Sequence, residues 1–391
     1  MSTGDAAGGR EAPGSDGIRL TDRERLDWLR LIRSDNIGPA TFRDLLDHFG
    51  SAENAIEAIP ELAKRGGRAI RVRPIEDAEQ EIATLEDAGG RFIALGEPDY
   101  PSWLRHIDGA PPIVAIRGDA AILSRPTIAI VGSRNASLVG VKFAKQIARE
   151  LGHHGYAIAS GLARGIDAAA HQASLETGTV AVLAGGLDRI YPPENLELAE
   201  TILAKGGAHL SEMPLGWQPR ARDFPRRNRI VSGLAVGVVV IEAATRSGSL
   251  ITARLASEQG RLVFAVPGSP LDPRAAGTNR LIRDGARIVT NVEDILTEID
   301  PMLERRTVFE TPFEENPPAG MQDSEEAGDA DRQRLVEALG PAPVELDDIV
   351  RFTGTTPAIV HLLLLELDLA GRIARHPGSR VSLIDPSHGS D

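Results

Sequence analysis

The stretch TIAIVGSR, residues 127–134, decides the fold, because it joins an apolar, β-branched run to a turn made of Gly132, Ser133 and Arg134. Similar apolar runs follow at helix-length intervals: YAIASG (156–161), TVAVLAG (179–185), AHLSE (208–212), VGVVVIEA (236–243), LVFAVPG (262–268) and ARIVT (286–290). Strands that are apolar on both faces and alternate with helices indicate a buried parallel sheet. The sequence therefore predicts a doubly wound α/β domain with a mostly parallel sheet.

Shorter patterns on either side of this domain predict two smaller domains. Upstream, LTDRERLDWLRLIRS (20–34) and TFRDLLDHFG (41–50) have apolar residues at helical spacing, and a third helix is expected from Ala52 to Ala58. The turn between the first two helices resembles a helix-hairpin-helix or sterile-alpha-motif (SAM) unit, and a helical bundle for protein contact is the alternative. Downstream, the order of helices and strands matches a winged helix-turn-helix.

The expected organisation has a tail and a linker besides these domains. It consists of a disordered tail at 1–17, a helical domain at 18–75, the α/β domain at 76–306, an acidic linker at 307–330 and a winged-helix domain at 331–386. The start of the chain lacks the apolar run of a signal peptide, and no stretch reaches the length of a membrane span. The sequence contains no cysteine, which excludes disulfides and thiolate metal sites. A cytoplasmic protein without a membrane partner is expected.

Charge argues at first sight against a nucleic-acid partner. The formal net charge is −13, whereas affinity for DNA depends largely on cations that neutralise phosphates. The field over one face matters more than the total, and the segment 307–331 alone holds eight carboxylates and no Lys or Arg. A basic surface on the α/β domain therefore remains compatible with the composition.

The ends of the predicted strands are rich in glycine and serine. In an open parallel sheet, ligands bind outside the carboxyl ends of the strands, where loops lead into helix N-termini. Glycine lets backbone N–H groups approach an anion closely, so each loop is a candidate phosphate site. The candidates in these loops are Gly132, Ser133, Arg134, Ser160, Gly161, Arg164, Gly165, Gly185, Gly186, Ser247, Gly248, Ser249, Thr252, Gly268, Thr278 and Asn279. The fingerprints GxGxxG and GxxxxGK[ST] are both absent, so no nucleotide cofactor is expected.

The segment WQPRARDFPRRNRI (217–230) carries five arginines and one aspartate, interleaved with Trp217 and Phe224. Such interleaving suits single-stranded nucleic acid, whose bases stack on aromatic rings and whose phosphates need cations. The segment opens a helix after the fourth strand, which places it on the same rim as the glycine loops. The candidates here are Arg226, Arg227, Asn228 and Arg229. The alternative is a solvated loop whose arginines pair with acidic residues elsewhere.

Together these segments resemble the DNA-processing protein A family (DprA, also called Smf). The resemblance covers roughly 100–290 and rests on motifs whose order and spacing agree: Val131-Gly-Ser-Arg134, Ser160-Gly161-x-Ala163-x-Gly165-Ile-Asp167, Tyr191-Pro192-x-x-Asn195, Ser211-Glu212-x-Pro214-x-Gly216, Phe224-Pro225-x-Arg227-Asn228-Arg229-Ile230, Glu242-Ala243-x-x-Arg246-Ser-Gly-Ser-Leu-Ile-Thr-Ala253, Pro267-Gly268-Ser269 and Gly277-Thr-Asn279. The helical start and winged-helix end also agree with the three-part layout that is frequent in the family.

This resemblance implies a Rossmann-like, cytosolic, homodimeric protein that binds and protects single-stranded DNA in natural transformation and helps load the RecA recombinase. By position, Gly132, Ser133 and Arg134 would form the central DNA-contacting loop, and Asn195 would join the site. Many relatives carry lysines around the Tyr-Pro-x-x-Asn motif, whereas here YPPENLELAE (191–200) has no basic residue. We therefore expect Arg134 and the helix start at 226–229 to carry most of the binding.

The winged helix lacks the features of a DNA-reading domain. Residues 355–370, its third helix, contain no Lys or Arg and carry Glu366 and Asp368, whereas base edges are read by Arg, Lys, Asn or Gln. A protein-contact role is predicted. Regulation of duplex DNA remains the alternative because the wing contains arginines.

An enzyme is the rival class, since Rossmann-like phosphoribohydrolases that cleave nucleoside monophosphates resemble this fold. In those enzymes a catalytic carboxylate follows the corresponding glycine-rich loop. In the comparable segment here, RSGSLITA (246–253), Ala253 or one of its neighbours replaces that carboxylate. Of the remaining titratable candidates, His171 is expected to be structural, Asp167 to cap a helix or brace a loop, and Glu242 stays open. No His, Asp or Glu cluster has the spacing of metal ligands. We expect neither catalysis nor a metal or cofactor.

Overall fold

The computed structural model describes residues 18–309, 327–376 and 378–384, and for 305–309 the backbone alone. The expected tail at 1–17 and most of the acidic linker lie outside the described residues. The helices are α1 (Asp22–Ile32), α2 (Pro39–Phe49), α3 (Ala52–Arg65), α4 (Ile75–Asp87), α5 (Ser102–Arg105), α6 (Leu138–His153), α7 (Ile166–Ala173), α8 (Leu196–Ala204), α9 (Asp223–Leu234), α10 (Gly248–Glu258), α11 (Ala276–Arg283), α12 (Glu293–Phe309), α13 (Asp329–Ala338), α14 (Leu346–Thr353) and α15 (Pro357–Leu369).

The strands form a large sheet and a small one. They are β1 (Gly90–Ala94), β2 (Ile113–Gly118), β3 (Thr127–Gly132), β4 (Ala157–Ser160), β5 (Thr179–Val182), β6 (Ala208–Ser211), β7 (Gly237–Ile241), β8 (Leu262–Ala265), β9 (Arg287–Ile288), β10 (Val344–Glu345), β11 (Ile373–His376) and β12 (Arg380–Leu383). The large sheet has nine strands in the order β1-β2-β6-β5-β4-β3-β7-β8-β9, and the small one the order β10-β12-β11.

The predicted doubly wound, mostly parallel sheet is confirmed. In the sheet order, the seven strands β6-β5-β4-β3-β7-β8-β9 all pair in parallel with one another. The chain builds the sheet from β3 in one direction to β6, then crosses back and continues from β7 in the other. The carboxyl ends of β3 and β7 therefore flank the topological switch point, where such sheets bind ligands.

Two strands of the large sheet were not predicted. β1 pairs with β2, and β2 with β6, both antiparallel, so they extend the sheet at one edge. The seven strands predicted by alternation with helices are all parallel ones. β1 and β2 do not alternate with long helices, because the segment between them holds only the single turn of α5.

The core lies on both faces of the large sheet, because successive side chains of each strand point to opposite sides. In β3, Ala129 and Val131 pack with α9 and α10, whereas Ile128 and Ile130 pack with α6, α7 and α12. Burial on both faces explains why the strands are apolar without alternation. The helices packed on both faces of the sheet therefore fix the positions from which the loops leave the carboxyl ends of the strands.

The helical start is as predicted in type, with differences in length. Thr21 and Glu24 form a capping box at the start of α1, and Gly50 ends α2 in the left-handed conformation. The third helix, α3, continues to Arg65 rather than ending at Ala58. The unpredicted α4 packs against α1 and β1, and so joins this unit to the large sheet.

The winged helix packs against the helical start. Leu365 and Leu369 of α15 share an apolar cluster with residues of α2 and α3. Asp368 accepts a hydrogen bond from the Thr41 hydroxyl at 2.8 Å, and Arg375 forms ion pairs with Asp368 at 2.8 Å and with Asp44 at 2.7 Å. The third helix of the winged-helix domain, α15, therefore makes protein contacts within its own chain.

No single helix of the described segments is long and apolar enough to cross a membrane. The pair α14 and α15, which meet at 111°, passes the same test of length and composition when taken together.

Candidate nucleic-acid interface

The crevice at the switch point is filled by a carboxylate of the protein itself. Glu242 follows β7 with a φ of 52°, and its carboxylate accepts hydrogen bonds from the Ser137 backbone N–H at 2.8 Å and from the Ser137 hydroxyl. Ser137 caps α6 by accepting from the Gly140 N–H at 2.9 Å. The Ser137 and Gly140 N–H groups, which could otherwise bind a phosphate at the start of α6, are thus used internally.

Gly132 lies at the base of this crevice, where β3 and β7 run closest. It pairs with Ile241, and a Cβ atom on Gly132 would collide with the Ile241 carbonyl oxygen and with the Ile166 side chain. Its absence of a side chain is therefore a packing requirement. This position sets the direction in which Ser133 and Arg134 leave the strand.

A small pocket lies beside the crevice, on the β4 and β5 side of the edge. The Arg134 guanidinium lies over the Phe224 ring at 5.5 Å, and the Tyr191 and Phe224 ring centres are 5.4 Å apart. Arg134 is exposed and Tyr191 is 45% exposed. The pocket is lined by Arg134, Gly161, Ala163, Arg164, Tyr191, Pro192, Phe224 and Arg227. It combines a cation, an accessible aromatic face and a glycine loop.

The floor of this pocket is a buried arginine. Arg227 is 6% exposed and donates hydrogen bonds to the carbonyl oxygens of Gly161, at 2.6 Å, and of Val182. Burial lowers the pKa of Arg227 to about 10, which the nearby carboxylate of Asp167 partly counteracts. A Cβ atom on Gly161 would lie 2.5 Å from the guanidinium, so glycine is required there as well. The expectation that Arg227 contacts phosphate is revised to that of a structural support.

Asp167 braces the loop between β4 and α7. Its carboxylate accepts from the backbone N–H groups of Gly161 at 3.1 Å and Ala163 at 3.3 Å. Burial raises its pKa, while the charge of Arg227 and these hydrogen bonds lower it. The Ser160 hydroxyl donates to the Ile130 carbonyl at 2.6 Å and is fully buried. The expectation that Asp167 is a loop brace is confirmed, and Ser160 supports the loop rather than a ligand.

Part of the arginine cluster is neutralised by Glu212. This carboxylate is 7% exposed and pairs with Arg226 at 2.8 Å and with Arg229, which also donates to the Gly109 carbonyl. The Arg229 side chain is 15% exposed, against 45% for Arg226. The expectation that the whole helix start at 226–229 faces phosphate is therefore revised. Arg229 holds α9 against neighbouring loops, while Arg226 keeps an accessible face.

The remaining exposed cation of the pocket, Arg164, is paired with Glu194 at 2.8 Å. Both side chains are at least half exposed. Glu194 belongs to the stretch that lacks basic residues, so this departure from the family pattern places a competitor for phosphate at the pocket. Asn195 is buried and donates to the Leu162 carbonyl at 2.8 Å, so it supports the loop from behind.

The structure separates the other predicted residues from this pocket. Gly185 and Gly186 are buried beneath the segment 214–219, where a Cβ on either would meet backbone atoms. Ser249, Thr252 and Thr278 are buried within the helices that follow β7 and β8. Residues nearer the surface of the same edge are Ser247, Gly248, Gly268, Asn228 and Asn279, of which the last binds Gly268 through both amide atoms.

The histidine predicted to be structural is so. His171 is fully buried and its Nδ1 lies 2.7 Å from the Thr179 hydroxyl. Burial lowers its pKa to about 3, and burial lowers the pKa of the neighbouring His209 to about 4. Both rings are neutral at physiological pH. Among the described residues, no group of three or more His, Asp or Glu side chains could hold a metal ion.

Several functional residues could not be foreseen from residue type. Tyr191 was noted only as part of a motif, although its ring forms the accessible wall of the pocket. Glu212, Glu194 and Glu242 each neutralise or fill part of the rim. Glu212 and Glu242 belong to the motifs quoted above and follow β6 and β7 directly, whereas Glu194 carries no such signal.

Comparison with known proteins assigns the family. The family model described as DNA recombination-mediator protein A matches residues 91–300, a DprA-like N-terminal HHH domain matches 22–84, and a DprA winged helix domain matches 317–379.

One relative that matches nearly the whole chain, one that matches part of it and a solved structure agree. Protein Smf of Escherichia coli is 35% identical over 92% of this chain and 96% of its own length, and DNA processing protein DprA of Bacillus subtilis is 43% identical over 59% of this chain and 78% of its own. The crystal structure of DNA processing protein A from Streptococcus pneumoniae has a TM-score of 0.59 and 34% identity, and covers 72% of this chain and 99% of that one. The chain therefore belongs to the DNA-processing protein A (DprA/Smf) family.

Proposed function

We propose that this protein binds single-stranded DNA in the pocket between Arg134, Tyr191 and Phe224. The observation that carries the proposal is the exposed Arg134 guanidinium over Phe224, with the accessible Tyr191 ring beside it. A base stacked on Tyr191 would bring its phosphate within reach of Arg134. Stacking of this kind contributes about 1–3 kcal/mol per base and tolerates any sequence.

The geometry favours a single strand over a duplex or a free nucleotide. The exposed Tyr191 ring offers a face on which a splayed base can stack, whereas the bases of a duplex are already stacked and paired with each other. The switch-point crevice, where a dinucleotide would bind, holds the carboxylate of Glu242. We propose that the residues meeting DNA are Arg134, Tyr191 and Arg226, joined by Ser133, Gly165 and Arg164 when Glu194 releases it.

The test is a fluorescence anisotropy titration with labelled oligo-dT of about 20 nucleotides and a duplex of equal length. Arg134→Ala and Tyr191→Ala should each weaken single-strand binding about tenfold, because each removes one phosphate or stacking contact. Arg65→Ala, which removes an exposed arginine of α3, is the control and should change nothing. Equal affinity for the duplex, or full affinity in both pocket variants, would overturn the proposal.

Family membership supports a role in natural transformation, in which the protein would protect incoming single-stranded DNA in the cytoplasm and help load RecA. We propose that it acts there as a homodimer. The winged helix, whose third helix is engaged with α2 and α3, would contact proteins rather than read duplex DNA. Co-sedimentation with RecA on single-stranded DNA coated with a single-strand-binding protein tests the loading step, and light scattering tests the dimer.

We propose that the protein is not an enzyme. The strongest candidate bases are engaged in structural contacts: Glu242 with Ser137, Asp167 with the loop it braces, and His171 with Thr179. Incubation of the purified protein with nucleoside monophosphates should release no free base. Release of base that is lost in Glu242→Gln would instead support the phosphoribohydrolase alternative.

A further inference from the structure

The exposed side of α6 carries a stripe of cations that the pocket does not use. Leu138, Lys142, Lys145 and Arg149 recur at helical spacing, so they lie on one face of the helix. With Val141 and Gln146 they line a shallow surface depression. At about 1.5 Å per residue the stripe is about 16 Å long. It is long enough for a few nucleotides.

These cations are not neutralised by the protein. Two of the chain's four lysines lie here, yet within the described segments neither they nor Arg149 form an ion pair. The nearest carboxylate on the helix, that of Glu150, accepts from the Gln146 amide at 3.1 Å. Most arginines of the pocket region are paired, as Arg226 and Arg164 show. In a chain with a net charge of −13, an unpaired basic stripe attracts a polyanion.

The stripe begins close to the pocket along the chain. α6 begins four residues after Arg134, on the loop that enters the pocket, and its first turn exposes Leu138 at 90% and Val139 at 78%. Exposed apolar side chains beside cations suit single-stranded DNA, because the apolar side chains can contact unpaired bases and the cations can neutralise phosphates. Because Glu242 already occupies the start of the helix, the attraction comes from side chains rather than from the helix dipole.

We propose that single-stranded DNA leaves the pocket over Leu138 and continues along Lys142, Lys145 and Arg149. This inference rests on the proposed function and extends it. The pocket holds one part of the strand and the α6 stripe the next, so the length of strand that is bound exceeds what the pocket contacts. A surface made of aliphatic and lysine side chains adds affinity without adding base selectivity.

The experiment compares oligo-dT of about 6 and about 20 nucleotides with wild type and the triple variant Lys142→Gln, Lys145→Gln, Arg149→Gln. For the longer strand, loss of three phosphate contacts should lower the slope of log affinity against log salt by about 2 and weaken binding about 100-fold near 0.1 M salt. Binding of the shorter strand, which the pocket alone can hold, should stay unchanged. The control Lys64→Gln, Arg65→Gln, Lys205→Gln removes equal charge on α3 and after α8.

The outcomes separate this inference from the pocket proposal. If Arg134→Ala weakens both strands while the α6 variant binds the longer strand as wild type does, the stripe is not a DNA path and the inference fails alone. If Leu138→Ser with Val139→Ser changes the sedimentation mass of the DNA-free protein instead, the face contacts protein and the inference is overturned. If neither strand depends on Arg134, the pocket proposal itself fails.

Discussion

Two arginines of the pocket, Arg227 and Arg134, should respond differently to substitution by methionine. Arg227→Met removes a buried guanidinium that holds the carbonyl oxygens of Gly161 and Val182 and faces the buried carboxylate of Asp167. Leaving such a carboxylate without its partner costs about 3–5 kcal/mol. For a domain of this size we expect the melting temperature to fall by about 10 °C. Arg134→Met removes an exposed cation and should change stability by less than about 0.5 kcal/mol.

The assay is thermal unfolding followed by circular dichroism, with the anisotropy titration run in parallel. Arg227→Met should unfold at a lower temperature, whereas Arg134→Met should keep wild-type stability and bind single-stranded DNA about tenfold more weakly. The double variant Arg227→Met, Asp167→Asn should recover part of the loss, because the uncompensated charge is gone. If Arg227→Met remains as stable as wild type and loses only DNA binding, Arg227 is a ligand contact and the argument from burial is wrong.

The pH dependence of this variant adds an independent check. Burial already raises the pKa of Asp167 above its ordinary value of 3.8, and Arg227 is the main opposing charge. Without Arg227 the folded-state pKa rises further above that of the unfolded chain. A raised carboxyl pKa contributes stability at low pH that is lost as pH rises through the folded value. The deficit of Arg227→Met relative to wild type should therefore be smaller near pH 5 than near pH 8, and a deficit independent of pH would contradict this.

Further predictions concern charge, pH and packing. Glu194→Gln should free Arg164 and strengthen single-strand binding by about fivefold at 0.1 M salt. In the anisotropy titration, the slope of log affinity against log salt should become steeper by about 0.7. Unchanged affinity would mean that Arg164 does not reach DNA. The folded pKa values of His171 and His209, about 3 and about 4, lie below that of 6.5 in the unfolded chain, so stability should fall as pH drops from about 6.5 towards 4. In urea titrations, the stability of His171→Gln should depend less on pH over that range than that of wild type does. An equal pH dependence would contradict the assignment of His171 as a buried neutral residue. Gly132→Ala should lower the urea midpoint, because its Cβ would meet the backbone of β7; an unchanged midpoint would show that the strands can separate to admit it.

The fold was predictable because its signal is local. β3 to β9 are apolar, β-branched segments between helices, and each could be recognised from its own residues. β1 and β2 lie outside that alternation, so their antiparallel pairing depends on contacts with β6 that no local pattern encodes. α3 continues past Ala58 and through Pro60 to Arg65; a proline inside a helix ordinarily ends or kinks it, so no local pattern predicts this length.

The candidate site was predictable in its position and only partly in its members. Gly132, Gly161 and Arg134 lie at the carboxyl edge as expected for a doubly wound sheet. Which arginines remain free depends on carboxylates that come close only in the folded chain: Glu212 reaches Arg229 from another loop, and Asp167 lies opposite Arg227. A count of charges in a segment cannot distinguish a buried brace from an exposed ligand contact.

The carboxylate of Glu242 in the switch-point crevice has a consequence for competition in the cell. Free nucleotides are abundant there, and a sheet of this type would ordinarily offer them a ready site between its central strands. Here any small phosphate ester that entered would meet the Glu242 carboxylate and find the N–H groups of Ser137 and Gly140 already engaged. A polymer does not need that crevice, because it gains affinity from many weak contacts spread along the edge. The proposed DNA interface can therefore stay accessible while this crevice disfavours small phosphate esters.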